Sequence, residues 1–227
     1  MVLRLMNFGP AALTSGDTLY QIAGMLATQA SDGTKVVAVV TAMSGVTEML
    51  LESTRTGNYS NVYTKLLTAH TSAARRQGRD ETARKVLIQD ITDILDSYRW
   101  LGKSLANRTP TTTEMDTIAL LGEKLCARLL AASLQNRRIQ AAALNASELL
   151  VGTDVQANRA RIQSRLDPLL NQGYIGVVTA STNAELAQTA AQPQTMPLDC
   201  TSRIATCTAP DEIWLWTDGE TYTVQKP

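Results

Sequence analysis

The chain has 227 residues, and its 21 lysines and arginines balance 21 aspartates and glutamates, so its formal net charge is zero. That balance argues against a broad electrostatic binder of nucleic acid and against a polybasic membrane-surface protein. Hydrophobic residues at 44% and charged residues at 19% match a folded globular chain, and one Phe, six Tyr and three Trp make the expected core aliphatic. No apolar run is long enough to span a bilayer, and Pro10 interrupts the opening MVLRLMNFGP where a signal peptide would continue apolar. A soluble, cytoplasmic protein is expected, with neither nucleic acid nor membrane as partner. Three widely spaced cysteines (Cys126, Cys200, Cys207) make no disulfide framework, and whether Cys200 and Cys207 pair stays open. With His70 the sole histidine, a Cys/His zinc site is not expected.

In chain order, Val2 to Phe8 reads as a short buried strand stopped by Gly9-Pro10. Asp17 is placed to cap a helix from Thr18 to about Gln29, with Leu19, Ile22, Ala23 and Leu26 on one face. After the turn Ser31-Asp32-Gly33, Lys35 to Thr41 is a β-branched run of the kind buried on both faces of a parallel sheet. Ser44-Gly45 then opens a helix over VTEMLLEST. Three long helical patterns follow, Asn61–Arg76, Asp80–Leu105 and Thr113–Leu134, broken near Gly78 and at Pro110. Strands return at Ile139–Leu144 and Ile175–Thr179, around a helix from about Gln156 to Leu170. Ala184–Pro210, rich in Gln and Thr with three prolines, reads as partly loop, and Ile213–Thr217 is the last clear strand. This alternation predicts a three-layer α/β/α domain around a mainly parallel sheet.

Three stretches carry a resemblance when taken together: VVAVVTAMSGVTEML, LLGEKLCARLLAASLQ and APDEIWLWTDGETYT. In that order they resemble the kinase domain of aspartate kinases, within the amino-acid kinase fold family, whose corresponding blocks read S-A-M-S-G-V-T-N-L-L, G-E-x-L-S-A-x-L-L and D-E-V-x-I-W-T-D-V-D-G-V-Y-T. The resemblance spans nearly the whole chain from Leu3. It implies transfer of the ATP γ-phosphoryl group to the β-carboxylate of aspartate, with magnesium.

The same comparison exposes departures. Family members open with K-F-G-G-T-S, in which the lysine neutralises charge on the phosphoryl group and the glycine loop holds its oxygens through N–H groups. Here the ungapped register gives Asn7-Phe8-Gly9-Pro10-Ala11-Ala12. Asn7 carries no charge, and Pro10 has no N–H and cannot take a positive φ. A gapped register recovers Thr14-Ser15 but still lacks the lysine and leaves the loop two residues too long. The family's G-R-G-G-S-D motif falls on Pro193–Asp199, which reads PQTMPLD and holds no glycine. Asp199 or Arg203 is a candidate displaced remnant of its Asp or Arg; the alternative is an irregular surface loop. The sequence runs nine residues past Asp218 to Pro227. The expectation is therefore a single aspartate kinase-like domain over 1–227, lacking most of the nucleotide lobe and any ACT repeats.

Several matching positions survive. Glu123 stands where the family's substrate-binding glutamate would contact the amino acid, with Cys126 and Ala127 at i+3 and i+4. Thr41 and Thr47 match hydroxyl positions at the turn around Ser44-Gly45; Thr47 also suits a structural, helix-capping role, while Thr41 is left open. Asn145 and Thr153-Asp154 match loop positions and read as loop or cap residues. His70 reads as a packed or solvated helix histidine, Arg75-Arg76 and Arg137-Arg138 as a solvated face and a helix end, and Cys126 as an inert buried thiol. Trp214 and Trp216 share one face of a strand, a lid or a contact with another subunit.

The expectation is a catalytically silent aspartate kinase-like protein acting through association or ligand binding. It has no catalytic residues, no metal site and no cofactor, a substrate-binding remnant at Thr41, Thr47 and Glu123, and a degenerate phosphate loop at Asn7, Gly9 and Pro10. Its expected partners are a second copy or another protein, and a small amino acid. The alternative is an active kinase using ATP and magnesium, with its site completed by a partner.

Overall fold

A computed structural model describes residues 3–30, 33–105, 108–150, 154–181, 212–217 and 220–225, the last two segments as backbone. Strand β1 (Leu3–Phe8) leads into helix α1 (Gly16–Ala30). Asp17 does not cap α1: Ser15 and Thr18 do so by exchanging bonds, Ser15 N–H to Thr18 Oγ1 at 3.0 Å and Thr18 N–H to Ser15 Oγ at 3.2 Å. Asp17 lies in the first turn, where its charge suits the helix dipole and pairs with Arg76 at 3.3 Å.

Strand β2 (Lys35–Val40) and helices α2 (Val46–Thr56), α3 (Tyr59–Gln77), α4 (Glu81–Leu105) and α5 (Thr112–Asn136) follow. Asp80 anchors the start of α4 by accepting Ala83 N–H at 2.8 Å, and a Thr111/Glu114 capping box starts α5. Short strand β3 (Ala141–Leu144) is two residues shorter at its start than the apolar pattern predicts. Next come α6 (Ala146–Leu149), α7 (Val155–Arg165), α8 (Asp167–Asn171) and β4 (Ile175–Thr179). The predicted helix from Gln156 to Leu170 is thus two helices, because Pro168 at the start of α8 cannot continue the hydrogen-bond ladder of α7. Asp154 caps α7, its Oδ1 accepting Gln156 N–H at 3.0 Å and Ala157 N–H at 3.1 Å. The antiparallel pair β5 (Glu212–Thr217) and β6 (Glu220–Gln225) adds a strand that the pattern does not predict. Ala184–Pro210, Thr153, Cys200 and Cys207 lie outside the described residues.

Four strands form one parallel sheet in the order β1-β2-β4-β3. Period-two alternation sends Met6, Phe8, Val36, Ala38, Val40, Ile175 and Val177 into a large core with α1–α5. Val37 and Val178 face the other way, packing with Ala146, Leu149, Ile162, Leu166 and Leu170 from α6–α8. This is the expected three-layer α/β/α arrangement. Helix α5 is the pillar of the larger layer, with Leu125, Leu129, Leu130 and Leu134 fully buried. Tyr98 on α4 reaches α2 through a buried bond to Ser53 Oγ of 2.7 Å.

Candidate functional site at the carboxyl ends of the strands

In an open parallel sheet the loops leaving the carboxyl ends of the strands build the ligand crevice. Here the connections through α1–α5 lie on one face and those through α6–α8 on the other, so the carboxyl ends of β2, β4 and β3 open between the layers. Asn7, Gly9 and Pro10 leave β1 exposed at this edge, with Asn7 on the face of the sheet that Leu3 and Leu5 share. The loop after them closes on itself: Ala12 N–H donates to Gly9 O at 3.0 Å and Leu13 N–H to Pro10 O at 3.1 Å. Leu13 is fully buried, and its carbonyl accepts Ser44 N–H at 2.9 Å, tying this loop to the β2–α2 turn.

Thr41 follows β2, half-buried. Its N–H donates to Phe8 O at 3.2 Å and its hydroxyl to Ala42 O at 3.2 Å, so it fastens the ends of β1 and β2 together. The turn into α2 needs Gly45 at φ 77°, a left-handed conformation that side chains disfavour. Gly45 holds the cap position without a side-chain bond, so Thr47 is not the helix cap; it lies half-buried in the first turn.

Gly122 brings α5 against this turn. A Cβ there would lie 2.9 Å from Ala42 Cβ and 3.0 Å from Val46 Cγ1, so only glycine permits the approach. The next residue, Glu123, is thereby held beneath the carboxyl edge, 7% exposed. Both of its oxygens accept from Ser181, Oε2 from the N–H at 2.9 Å and Oε1 from the hydroxyl at 2.8 Å. Two residues earlier, Thr179 Oγ1 accepts Ala146 N–H at 2.8 Å, fixing the exit of β4 against the start of α6. Asn145, at the cap position of α6, donates its N–H and side-chain amide to Glu148. Cys126 lies one turn beyond Glu123, and burial together with that carboxylate pushes its thiol up to about 12, so it stays a protonated, inert group.

Ser181 and Thr179 escape sequence reasoning. Their only local signal is a pair of hydroxyl residues where an apolar strand ends, while the bond to Glu123 spans 58 positions. His70 is 1% exposed, so it is a packed histidine. Arg137 is more than a helix end: its guanidinium stacks 3.8 Å from the centre of the Tyr20 ring and donates to Tyr20 O at 3.1 Å. A cleft of about 510 Å³ beside β3, lined by Arg79, Asp90, Arg128 and Ala141–Ala143, contains none of the site residues named above. Among the described residues no group of three or more His, Cys, Asp or Glu side chains is placed to hold a metal ion, and no helix is long and apolar enough to cross a membrane.

A parallel α/β sheet with its crevice at the carboxyl edge defines the class, and comparison with known proteins defines the family. The model of the amino acid kinase family matches residues 3–220, and the chain belongs to that family. Its fold is similar to Escherichia coli aspartokinase III solved with aspartate and ADP (TM-score 0.68, 17% identity, 79% of this chain and 40% of that one). The same enzyme solved with lysine and aspartate gives TM-score 0.67 at 18% identity, covering 78% of this chain and 40% of that one. Clostridium acetobutylicum aspartate kinase gives TM-score 0.55 at 15% identity, covering 78% and 38%. The chain thus spans about two-fifths of the length of these structures.

Proposed function

We propose that this chain is a catalytically silent, aspartate kinase-like member of its family that acts through association or ligand binding. The observation that carries the reading is the closed loop after β1. Phosphoryl transfer is catalysed by cations and N–H donors aimed at the moving oxygens. Asn7 brings no charge, Pro10 brings no N–H, and the N–H groups of Ala12 and Leu13 are spent on Gly9 and Pro10. The residues at this loop do not fit a nucleotide phosphate. Losing one such donor costs on the order of 10²–10³ in rate, and here several are lost together.

In this reading residues 1–227 act as one domain, in the cytoplasm, as a homodimer or with a protein partner, and without ATP or magnesium. A small amino acid is the candidate ligand, with Thr41, Thr47 and Glu123 as the remnant of its site. The placement of Glu123 beneath the carboxyl edge favours one alternative. That alternative is an active kinase transferring the ATP γ-phosphoryl group to an aspartate-like carboxylate, with magnesium and a partner completing the site. A coupled assay with aspartate, ATP and magnesium decides between them: the isolated chain should show no turnover above background. Asn7→Lys alone should not restore it, because Pro10 and the self-bonded loop remain. Turnover by the unaltered chain would establish the alternative.

A further inference from the structure

The exit of β4 is pinned at three successive residues. Thr179 accepts from Ala146 N–H at 2.8 Å, Ala180 N–H donates to Val40 O at 2.9 Å, and Ser181 donates twice to Glu123. A carboxylate as deeply buried as Glu123 is stable only with its oxygens hydrogen-bonded. Ser181 supplies a donor to each of them from within the chain.

An ammonium group binds a carboxylate at about 2.7–2.9 Å, and the Ser181 hydroxyl already holds Oε1 at 2.8 Å and its N–H holds Oε2 at 2.9 Å. We infer that Ser181 is a specificity-determining residue: it stands in for the ammonium group of an amino-acid ligand and competes with such ligands for Glu123. The inference rests on the reading of Glu123 as the glutamate of a substrate cleft. An amine entering this cleft must first displace a charge-assisted hydrogen bond, which corresponds to about tenfold to hundredfold in affinity. Anchoring from Thr179 and Ala180 keeps the serine in place, so the competition is built into the strand exit.

Calorimetric titration of the full chain with L-aspartate, and with succinate as the same diacid without the ammonium, tests this. Ser181→Ala removes the hydroxyl and keeps the backbone bond; Ser181→Gly also removes the Cβ, and melting curves establish that each variant folds. Aspartate should bind Ser181→Ala at least about tenfold more tightly than the unaltered chain, and Ser181→Gly no less tightly than that. Succinate affinity should not change, and adding Glu123→Gln should abolish the gain. Equal aspartate affinity in all three chains, absence of binding in all three, or an equal gain for succinate would overturn the inference. A gain that survives Glu123→Gln would place the ligand elsewhere and overturn it as well. Turnover in the kinase assay would end the silent reading alone, since the affinity ratio is measured without ATP.

Discussion

His70 donates Nδ1–H to Leu66 O at 2.8 Å, and its Nε2 is buried without a partner among the described residues. Burial lowers its pKa from the ordinary 6.5, the Leu66 bond opposing weakly. A depressed folded pKa means the unfolded chain takes up a proton first, so the contribution of this residue is complete above about pH 6.5 and is lost as pH falls through the folded value. Asp116 has the opposite sign: burial raises its pKa above 3.8, one oxygen has no partner, and its contribution is lost as pH rises through the folded value. Between pH 7 and pH 5 the His70 contribution to stability should therefore fall, by at most about 1.4 kcal/mol per pH unit, as read from the pH slope of the urea midpoint. His70→Gln should flatten that slope. An unchanged slope in the variant would show that other groups carry the acid sensitivity.

At the scale of elements, Gly122 ties the pillar helix α5 to the turn between β2 and α2. Gly122→Ala gains about 1 kcal/mol of helix propensity, but it places a methyl at 2.9 Å from Ala42 and 3.0 Å from Val46. Overpacking of this kind costs about 1–3 kcal/mol. The variant should be less stable in urea, and Gly122→Val, which adds bulk and β-branching, more so. A stabilised Gly122→Ala would mean that the turn yields freely.

Much of this architecture is legible in sequence because it depends on local periodicity. The β-branched run of β2 and the three- and four-residue apolar spacings of α3, α4 and α5 place those elements within a few residues. The break between α7 and α8 is harder to read because Ile162, Leu166 and Leu170 keep helical spacing across Pro168. Strand β6 is missed because ETYTVQ carries no apolar run, and α6 because four residues hold no period. Glu123 is singled out by its motif, but its grip on Ser181 is a tertiary contact with no trace in local pattern.

For the whole molecule, sheet order decides which surfaces stay open. β3 is an edge strand, and among the described residues no strand pairs with its far side. Natural proteins cover or charge such edges, because free backbone donors and acceptors invite another strand. Arg79, Asp90 and Arg128 flank the cleft beside it, and Trp100, 69% exposed, projects from α4. The β5–β6 register sets Trp214 opposite Thr223 and Trp216 opposite Thr221, which places both tryptophans on one face of the hairpin. Aromatic residues are enriched at interface centres, so the chain should self-associate. Light scattering at micromolar concentration should return twice the 24.6 kDa mass of the chain, and acrylamide should quench the indoles less in the dimer than after dilution to monomer. A monomer that persists on concentration, with quenching independent of dilution, would remove the case for a second copy and leave association with a different protein as the remaining route.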